Sequence, residues 1–283
     1  MDERICVNLG MDSDVPWLEQ LDIIKKAGFD GIFVDWERDI DLHPIIEKAR
    51  RLGLFVQSLH APFYGMDDIF HDAEGSLSYK MISDLYGTID ACYEFGIDLT
   101  IFHAIIGMDN HSPNELGLKR LEKVIDYAEK KGVRIAFENT EGEEYLKAII
   151  DRFGNRKHIG FCIDTGHAMC YNAGSDIFSK FGKYLFSTHL NDNMGQTGNE
   201  ITFYDDSHLL PFDGIADWNK IAKNLIKYNF QGPFTYEFVS INRPERHTSD
   251  RYEKMPFDEY VNEAYEKSLK FRNLYLKKLS LYQ

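Results

Sequence analysis

Short apolar runs alternate with amphipathic stretches about eight times along this chain, and this alternation constrains its fold more than any other feature. The predicted strands cover residues 5–9, 31–34, 54–59, 99–102, 133–137, 159–163, 184–188 and 233–236. The predicted helices cover residues 16–27, 42–52, 77–95, 115–131, 143–153, 176–181, 215–228 and 257–279. Several of these helices stop at a glycine, as helices commonly do.

Strands that are apolar throughout and separated by helices are typical of a parallel sheet whose two faces are both covered. Eight such units in roughly 250 residues is the size of a (β/α)8 barrel. We therefore predict an α/β fold, a TIM barrel that forms a single domain over residues 1–283. A doubly wound sheet is the alternative, but the first predicted strand is not followed by a glycine-rich turn.

The composition indicates which classes of binding partner and which cellular compartment to expect. The 283 residues include 32 Lys and Arg against 46 Asp and Glu, which gives a net charge of −14 and disfavours nucleic acid as a partner. The start of the chain lacks the features of a signal peptide, and no apolar run approaches the roughly 18 residues of a membrane helix. The four cysteines show no C-x-x-C pairing, so we expect reduced thiols in a cytoplasmic protein.

A long loop is predicted after the seventh strand, over residues 189–214. It contains no Lys or Arg but offers two histidines and five acidic residues, namely His189, Asp192, Glu200, Asp205, Asp206, His208 and Asp213. A loop of this length in a compact domain is usually functional or disordered. Carboxylates and imidazoles without a cationic neighbour suit a divalent metal, whereas the alternative is a solvated acidic loop.

At the end of six of the eight predicted strands, directly after the apolar run, stands a polar residue that can bind a metal. These residues are His60, His103, Glu138, Asp164, His189 and Glu237, and His167 follows Asp164 by one helical turn. In a barrel, these strand ends meet at one mouth, where active sites of this fold lie. Carboxylates gathered there would repel one another unless a cation lies between them, so we predict a metal site. Glu138-Asn139 also admits a second interpretation, an N-cap for the following helix.

These residues occur in short motifs whose order resembles the xylose isomerase-like TIM barrels. That group comprises sugar and sugar-phosphate isomerases and epimerases, with the endonuclease IV type of DNA-repair enzyme as a relative. The motifs are Leu-His60-Ala-Pro62, Glu138-Asn139, Asp164-Thr-Gly-His167, His189-x-Asn-Asp192, Asp206-x-His208 and Glu237. The resemblance covers essentially the whole chain and implies an enzyme on a TIM barrel, with formation of a homo-oligomer as a further possibility.

In the isomerase and epimerase branch, the resemblance implies one divalent metal, either Mn, Zn, Co or Mg. Its ligands would be Glu138, Asp164, His189 and Glu237. The ion would bind two neighbouring oxygens of an open-chain sugar or sugar phosphate and stabilise an enediolate. Glu138 and Glu237 would transfer the proton, and His167 would bind a substrate hydroxyl. A metal-assisted hydride shift stays open as the other mechanism.

The endonuclease branch gives a second hypothesis, a zinc phosphodiesterase acting at abasic DNA with up to three Zn ions. The further ligands would be His60 and His103 with Glu138 at one site, and His167, Asp206 and His208 at another. A third hypothesis is a barrel that binds metal and sugar without turnover. The metal ligands alone do not choose among these hypotheses.

The charges of the predicted mouth favour the sugar enzymes, whereas its aromatic residues, Trp17 and Trp36 among them, fit stacking on a sugar and packing at the rim equally well. Most mouth loops carry no Lys or Arg, and the cations available are Arg38 and a segment that includes Arg243 and Arg246. That segment either grips one sugar phosphate or is a solvated turn. The predicted substrate-binding residues are His60, His103, His167, His208, Trp17, Trp36, Arg243 and Arg246.

Overall fold

In the computed structural model, which describes residues 2–107 and 112–281, eight parallel strands form one sheet. The strands are β1 (Ile5–Asn8), β2 (Gly31–Asp35), β3 (Phe55–His60), β4 (Leu99–His103), β5 (Arg134–Glu138), β6 (Ile159–Asp164), β7 (Leu185–His189) and β8 (Phe234–Tyr236). From β1 to β7 each strand pairs with the next one along the chain, and β1 also pairs with β8. Leu190, just after β7, bridges to Tyr236 of β8 and closes the barrel. The predicted (β/α)8 TIM barrel is confirmed.

Ten helices lie in the described part of the chain, and the longer ones cover the outside of the barrel. They are α1 (Trp17–Ala27), α2 (His43–Arg51), α3 (Asp68–His71), α4 (Ser76–Phe95), α5 (Glu115–Lys131), α6 (Glu143–Phe153), α7 (His167–Cys170), α8 (Ile177–Phe181), α9 (Trp218–Lys227) and α10 (Phe257–Leu279). The short helices α3 and α7 were not predicted, and both follow the mouth end of a strand.

The ends of the helices follow local chemistry. At the end of α4, Gly96 has φ 62°, a left-handed conformation that costs glycine little, and its N–H bonds to the carbonyl of Cys92. Helix α9 begins three residues later than predicted because Asp217 caps it, accepting a hydrogen bond from the Lys220 N–H at 2.9 Å.

The hydrophobic core has two parts, as expected for a barrel. The larger part lies between the sheet and the helices, where Leu21, Ile24, Leu121 and Ile149 are fully buried. The smaller part fills the barrel interior with Leu99, Ile101, Ala136 and Cys162. Because side chains fill the interior, the barrel is not a pore, and its polar strand ends lie together at the mouth.

Two expectations from composition can be compared with the structure. The cysteines Cys6, Cys92, Cys162 and Cys170 are buried and form no disulfide, which agrees with reduced thiols. None of the helices in residues 2–107 and 112–281 has the length and apolarity that crossing a bilayer requires.

Candidate metal centre

Four side chains from four adjacent strand ends meet at the centre of the barrel mouth. Glu138, Asp164, His189 and Glu237 each offer one ligand atom, and these atoms all lie within 4.8 Å of one another. The His189 Nδ1 atom lies 3.2 Å from Glu138 Oε2 and 2.8 Å from Glu237 Oε2. Glu138, Asp164 and His189 are fully buried. The four predicted residues therefore lie together, and the carboxylates of Glu138 and Glu237 both contact the His189 ring.

A second group lies beside the first and shares Glu138 with it. The Nε2 atoms of His60 and His103 lie 3.4 Å and 3.8 Å from Glu138 Oε2. His60 Nδ1 lies 2.8 Å from the carbonyl oxygen of Ala61 and donates to it, so in a neutral His60 ring the lone pair is on Nε2, the nitrogen on the side of Glu138. A metal between these atoms would need that tautomer.

A third group is built on the short helix α7 and on the long loop after β7. Asp164, His167 and His208 offer ligand atoms within 4.8 Å of one another. Asp206 Oδ1 lies 3.0 Å from His208 Nε2 and 3.4 Å from His167 Nε2. His167 Nδ1 donates to the carbonyl of Asn139 at 2.9 Å, which leaves its Nε2 facing Asp206. The structure thus brings all nine predicted metal-ligating residues into one patch.

Several of these ligand atoms are buried and form no hydrogen bond of acceptable geometry within the described residues, although some lie close to an oppositely charged atom. They are His103 Nδ1, Glu138 Oε1, both ring nitrogens of His189, Asp206 Oδ1, His208 Nδ1 and Glu237 Oε2. Native proteins leave few buried polar atoms unbonded, because each one costs free energy. A divalent cation that coordinates oxygen and nitrogen would satisfy atoms of this kind, so the donor set fits a metal.

The ionisable groups of the patch shift one another's pKa values. Burial favours a raised pKa for Glu138, but the neighbouring His189, His167 and His60 rings outweigh it and hold the pKa well below its ordinary value. For Glu237, His189 and His208 likewise outweigh burial and lower the pKa to about 2. Both glutamates are therefore ionised at neutral pH, as metal ligands and proton acceptors must be.

Burial determines the direction in which the pKa values of Asp164 and His103 are shifted. Burial raises the pKa of Asp164 to about 6, against the attraction of His167 and His208. Burial lowers the pKa of His103 to about 3, and repulsion from His60 and His167 lowers it further. His103 is consequently neutral at physiological pH, which is the form that binds a metal.

Backbone and asparagine groups orient Asp164. Its Oδ2 accepts a hydrogen bond from Asn191 Nδ2 at 2.7 Å, and its Oδ1 accepts one from the His167 backbone N–H at 2.7 Å. Asn139 Oδ1 accepts from the Asp164 backbone N–H at 2.8 Å. The N-cap residue of helix α6 is Gly142, and no side chain caps this helix, so the alternative interpretation of Asn139 as a helix cap is wrong.

Most acidic residues of the loop after β7 organise the loop rather than face the patch. Asp192 accepts hydrogen bonds from the Phe212 and Ala216 N–H groups and from Trp218 Nε1, all at 2.8–2.9 Å. Asp205 accepts from the backbone N–H of Thr197 at 3.0 Å. Asp213 pairs with Tyr252 and Lys267, whereas Glu200 is exposed. Only Asp206, of the five acids predicted there, reaches the metal-ligating groups.

The predicted arginines of the mouth are bound to groups of the protein itself. Arg243 Nε donates to the carbonyl of Asp206 at 2.6 Å, and Arg246 Nε donates to Asp205 Oδ1 at 3.0 Å. Arg38 Nε donates to Asp84 Oδ1 on α4 at 2.9 Å.

The two predicted tryptophans lie at the rim. Trp17 begins α1, and a Cβ added at Gly10 would lie 3.5 Å from its indole nitrogen. The ring of Trp36 lies against Gly87 in α4, where an added Cβ would come within 2.6 Å. Helix packing therefore covers part of the Trp36 ring.

Two residues of β2 were missed. Phe33 stacks on the His189 ring with centroids 4.6 Å apart and planes at 10°, which fixes the orientation of the imidazole. Asp35 ends the strand, one residue beyond the predicted end, and pairs in register with His60. Continuing the alternation of side chains by one more residue would have placed Asp35 at the mouth.

A family model for xylose isomerase-like TIM barrels matches residues 21–255 of this chain. The chain belongs to that family. A curated relative, "Uncharacterized protein y4fM" of Sinorhizobium fredii, is 26% identical over 260 residues, covering 77% of this chain and 79% of the relative. "Apurinic-apyrimidinic endonuclease 1" of Plasmodium berghei is 32% identical over 136 residues, covering 39% of this chain and 26% of that protein.

Among solved structures, the chain is similar to a D-allulose 3-epimerase from Methylomonas sp. in complex with D-allulose. The TM-score is 0.69 at 18% sequence identity, and the match covers 95% of this chain and 96% of the epimerase. At this level of identity, the similarity concerns the fold.

Proposed function

We propose that this protein is a divalent-metal-dependent isomerase or epimerase that acts on a small open-chain sugar. The observation that carries the proposal is the group formed by Glu138, Asp164, His189 and Glu237, whose ligand atoms lie within 4.8 Å of one another. The likeness in fold to a D-allulose 3-epimerase supports the same reaction class. The reaction needs an electrophile that binds two sugar oxygens and a base that removes a C–H proton. The four residues offer ligands for a metal ion as the electrophile, and the carboxylates among them offer the base.

When bound by these four residues, a divalent metal such as Mn, Zn, Co or Mg supplies Lewis-acid stabilisation of charge on the carbonyl and hydroxyl oxygens of the sugar. Glu138 and Glu237 are both ionised, so either carboxylate can take the proton from the carbon next to the carbonyl. Return of a proton to the neighbouring carbon gives an isomer, and return to the opposite face of the same carbon gives an epimer.

Other residues of the mouth position the sugar and exclude water. His167 is held by its Nδ1 bond to Asn139, so its Nε2 is oriented to bind a substrate hydroxyl. Phe33 beneath His189 and Phe63 stacked on His103 at 4.6 Å form apolar walls around the group. Dry walls of this kind strengthen the electrostatic interactions within the site.

The experiment is a turnover assay of protein stripped with a chelator and reloaded with a single metal. D-allulose, D-tagatose and L-ribulose form the first substrate panel, with products separated by chromatography. We expect at least one ketose to be converted after reloading with Mn²⁺ or Co²⁺ and no conversion in the stripped protein. Binding of ketoses to the reloaded protein without conversion of any of them would favour the hypothesis of a non-catalytic barrel.

The nuclease is kept as a second candidate because one observation favours it. All three groups of ligands that such an enzyme would use are assembled, including His60 with His103 and His167 with Asp206 and His208. Against it, Arg38, Arg243 and Arg246 each donate to an acceptor of the protein, so the few arginines of the mouth are already partly engaged, whereas a DNA enzyme needs several positive groups for phosphates. Metal-dependent cleavage of an abasic duplex, without ketose conversion, would replace the first proposal by the second.

A further inference from the structure

Asp35 lies on the inner face of the barrel at the mouth end of β2. Two residues earlier, Phe33 stacks on His189 inside the barrel, whereas Ile32 and Val34 are buried in the core beneath the helices. Side chains of a strand alternate between its two faces, so Asp35 follows Phe33 inward. Its Cα is paired in register with that of His60. The carboxylate therefore enters the mouth beside the metal-ligating patch.

The Asp35 carboxylate has no protein partner in residues 2–107 and 112–281, and its side chain is exposed to the mouth. Its charged neighbours are His60, His189 and Glu237. Enclosure by the surrounding barrel, together with repulsion by Glu237, raises the pKa of Asp35 to about 6, against the attraction of the two histidines. An unpartnered carboxylate in this position differs from the acids of the loop after β7, most of which are engaged by hydrogen bonds of the protein.

The two arginines of the segment after β8 are engaged by groups of the protein. Arg243 is held by the carbonyl of Asp206 at 2.6 Å and by Asp12 Oδ2 at 3.4 Å. Arg246 is held by Asp205 Oδ1 at 3.0 Å and by Thr197 Oγ1 at 2.9 Å. These contacts tie the segment after β8 to the loops after β1 and β7, and they direct part of each guanidinium toward acceptors of the protein.

We propose that Asp35 binds hydroxyl groups of the substrate and makes the site prefer an uncharged sugar over its phosphate ester. The inference rests on the proposed function, since it concerns the substrate of the same site. A carboxylate accepts hydrogen bonds but donates none, so it suits hydroxyl donors and repels a phosphate dianion. In this account, the segment with Arg243 and Arg246 stabilises the mouth loops. Binding of a sugar phosphate by this segment, which the sequence offered as one alternative, is then not part of substrate recognition.

The test compares binding of a free ketose and of its terminal phosphate ester to Mn²⁺-loaded protein by titration calorimetry. The ketose is the one of D-allulose, D-tagatose and L-ribulose that binds best. The variant is Asp35→Asn, which keeps the size of the side chain and removes its charge. Asp39→Asn is the matched control, because Asp39 is an exposed acid of the same loop.

In the wild type, we expect the free ketose to bind at least about tenfold more tightly than the ester. Asp35→Asn should weaken binding of the free ketose about tenfold, because a charged acceptor is replaced by a neutral one, and should narrow the preference by a similar factor. Asp39→Asn should leave both affinities unchanged. Equal binding of ester and ketose by the wild type, or an unchanged preference in Asp35→Asn, would overturn the inference.

Turnover measured on the same samples separates this inference from the proposed function. If a ketose is converted but Asp35→Asn keeps the wild-type preference, the function stands and the role of Asp35 is wrong. If ketoses bind with an Asp35-dependent preference but none is converted, the role of Asp35 stands and the isomerase proposal fails. Failure of the metal-loaded protein to bind any ketose overturns both.

Discussion

The two ends of the barrel differ in whether their charged groups are paired within the protein. At the amino end of the strands, a cavity of about 450 Å³ is lined by Arg4 and Arg134, and each arginine has a partner. Arg4 pairs with Asp2 and stacks on Phe55 at 3.6 Å, and Arg134 Nη2 lies 2.8 Å from Asp98 Oδ2. At the carboxyl end, buried histidine and carboxylate atoms lack hydrogen-bond partners within the described residues.

This difference indicates that the amino end of the barrel serves stability and that the carboxyl end serves function. Charges that are paired within the chain contribute to folding or are neutral to it, whereas unbonded buried polar atoms cost stability. A protein retains such a cost where a ligand or ion completes the bonding, and active sites of this fold lie at the carboxyl end. The contrast between the two ends predicts which substitutions change turnover and which change only stability.

The largest effect is expected for Glu237→Gln. The amide keeps the shape of the side chain but cannot accept a proton from carbon and is a weaker metal ligand. We expect kcat for the best ketose to fall about a thousandfold in metal-loaded protein, within the range found for general bases. Glu200→Gln, an exposed acid of the loop after β7, is the control and should leave kcat unchanged. A kcat of Glu237→Gln within tenfold of the wild type would contradict the role of this carboxylate.

Metal binding should raise the thermal stability of the protein, because it completes the buried bonding at the carboxyl end. At a free metal concentration of about 100 times Kd, the free energy of unfolding should rise by about 2.7 kcal/mol. Differential scanning calorimetry of chelated and Mn²⁺-loaded protein measures this shift. An identical melting temperature in both samples would mean that the four-residue group does not hold a metal.

Asn191 should matter for metal affinity although it is not a predicted ligand. Its side-chain amide donates to Asp164 Oδ2 at 2.7 Å and so orients that carboxylate. We expect Asn191→Ala to weaken metal binding about tenfold, as is usual for groups that orient a ligand. Competition with a chromophoric chelator measures the affinity, and Asn191→Asp is a poor substitute because a second carboxylate would repel Asp164. Unchanged affinity in Asn191→Ala would show that the backbone alone positions Asp164.

The smallest effect is expected at the opposite end of the barrel. Arg134→Ala removes a partly exposed ion pair with Asp98 and a contact with the Phe186 ring. Such pairs contribute at most about 1 kcal/mol, so the melting temperature should fall only slightly and metal affinity and turnover should not change. A large loss of turnover in Arg134→Ala would break the proposed division between the two ends.

The sequence was sufficient to predict the fold and the residues that end the strands. Apolar runs and glycine stops placed all eight strands, because buried parallel strands and their covering helices leave local patterns. His60, His103, Glu138, Asp164, His189 and Glu237 each lie at or directly after the end of a strand, as predicted. Closure of the barrel then brings residues that are distant in sequence to one mouth.

The sequence could not show which polar residues are already engaged. Arg243 and Arg246 form hydrogen bonds with residues about 40 positions earlier, and Asn139 with Asp164, 25 positions later. Such partners depend on tertiary structure rather than on local pattern. Asp35 was missed for a related reason, since pairing with β3 extends β2 one residue beyond the apolar run.

Elemental analysis of protein purified without chelators tests the central claim most directly. We expect about one equivalent of Mn, Co, Mg or Zn per chain, bound by Glu138, Asp164, His189 and Glu237, and its loss in Glu138→Gln. About three equivalents of zinc per chain would contradict the isomerase account and favour a phosphodiesterase. No bound metal, in protein that also fails to take up Mn²⁺, Co²⁺, Mg²⁺ or Zn²⁺ on dialysis, would contradict a metal centre altogether.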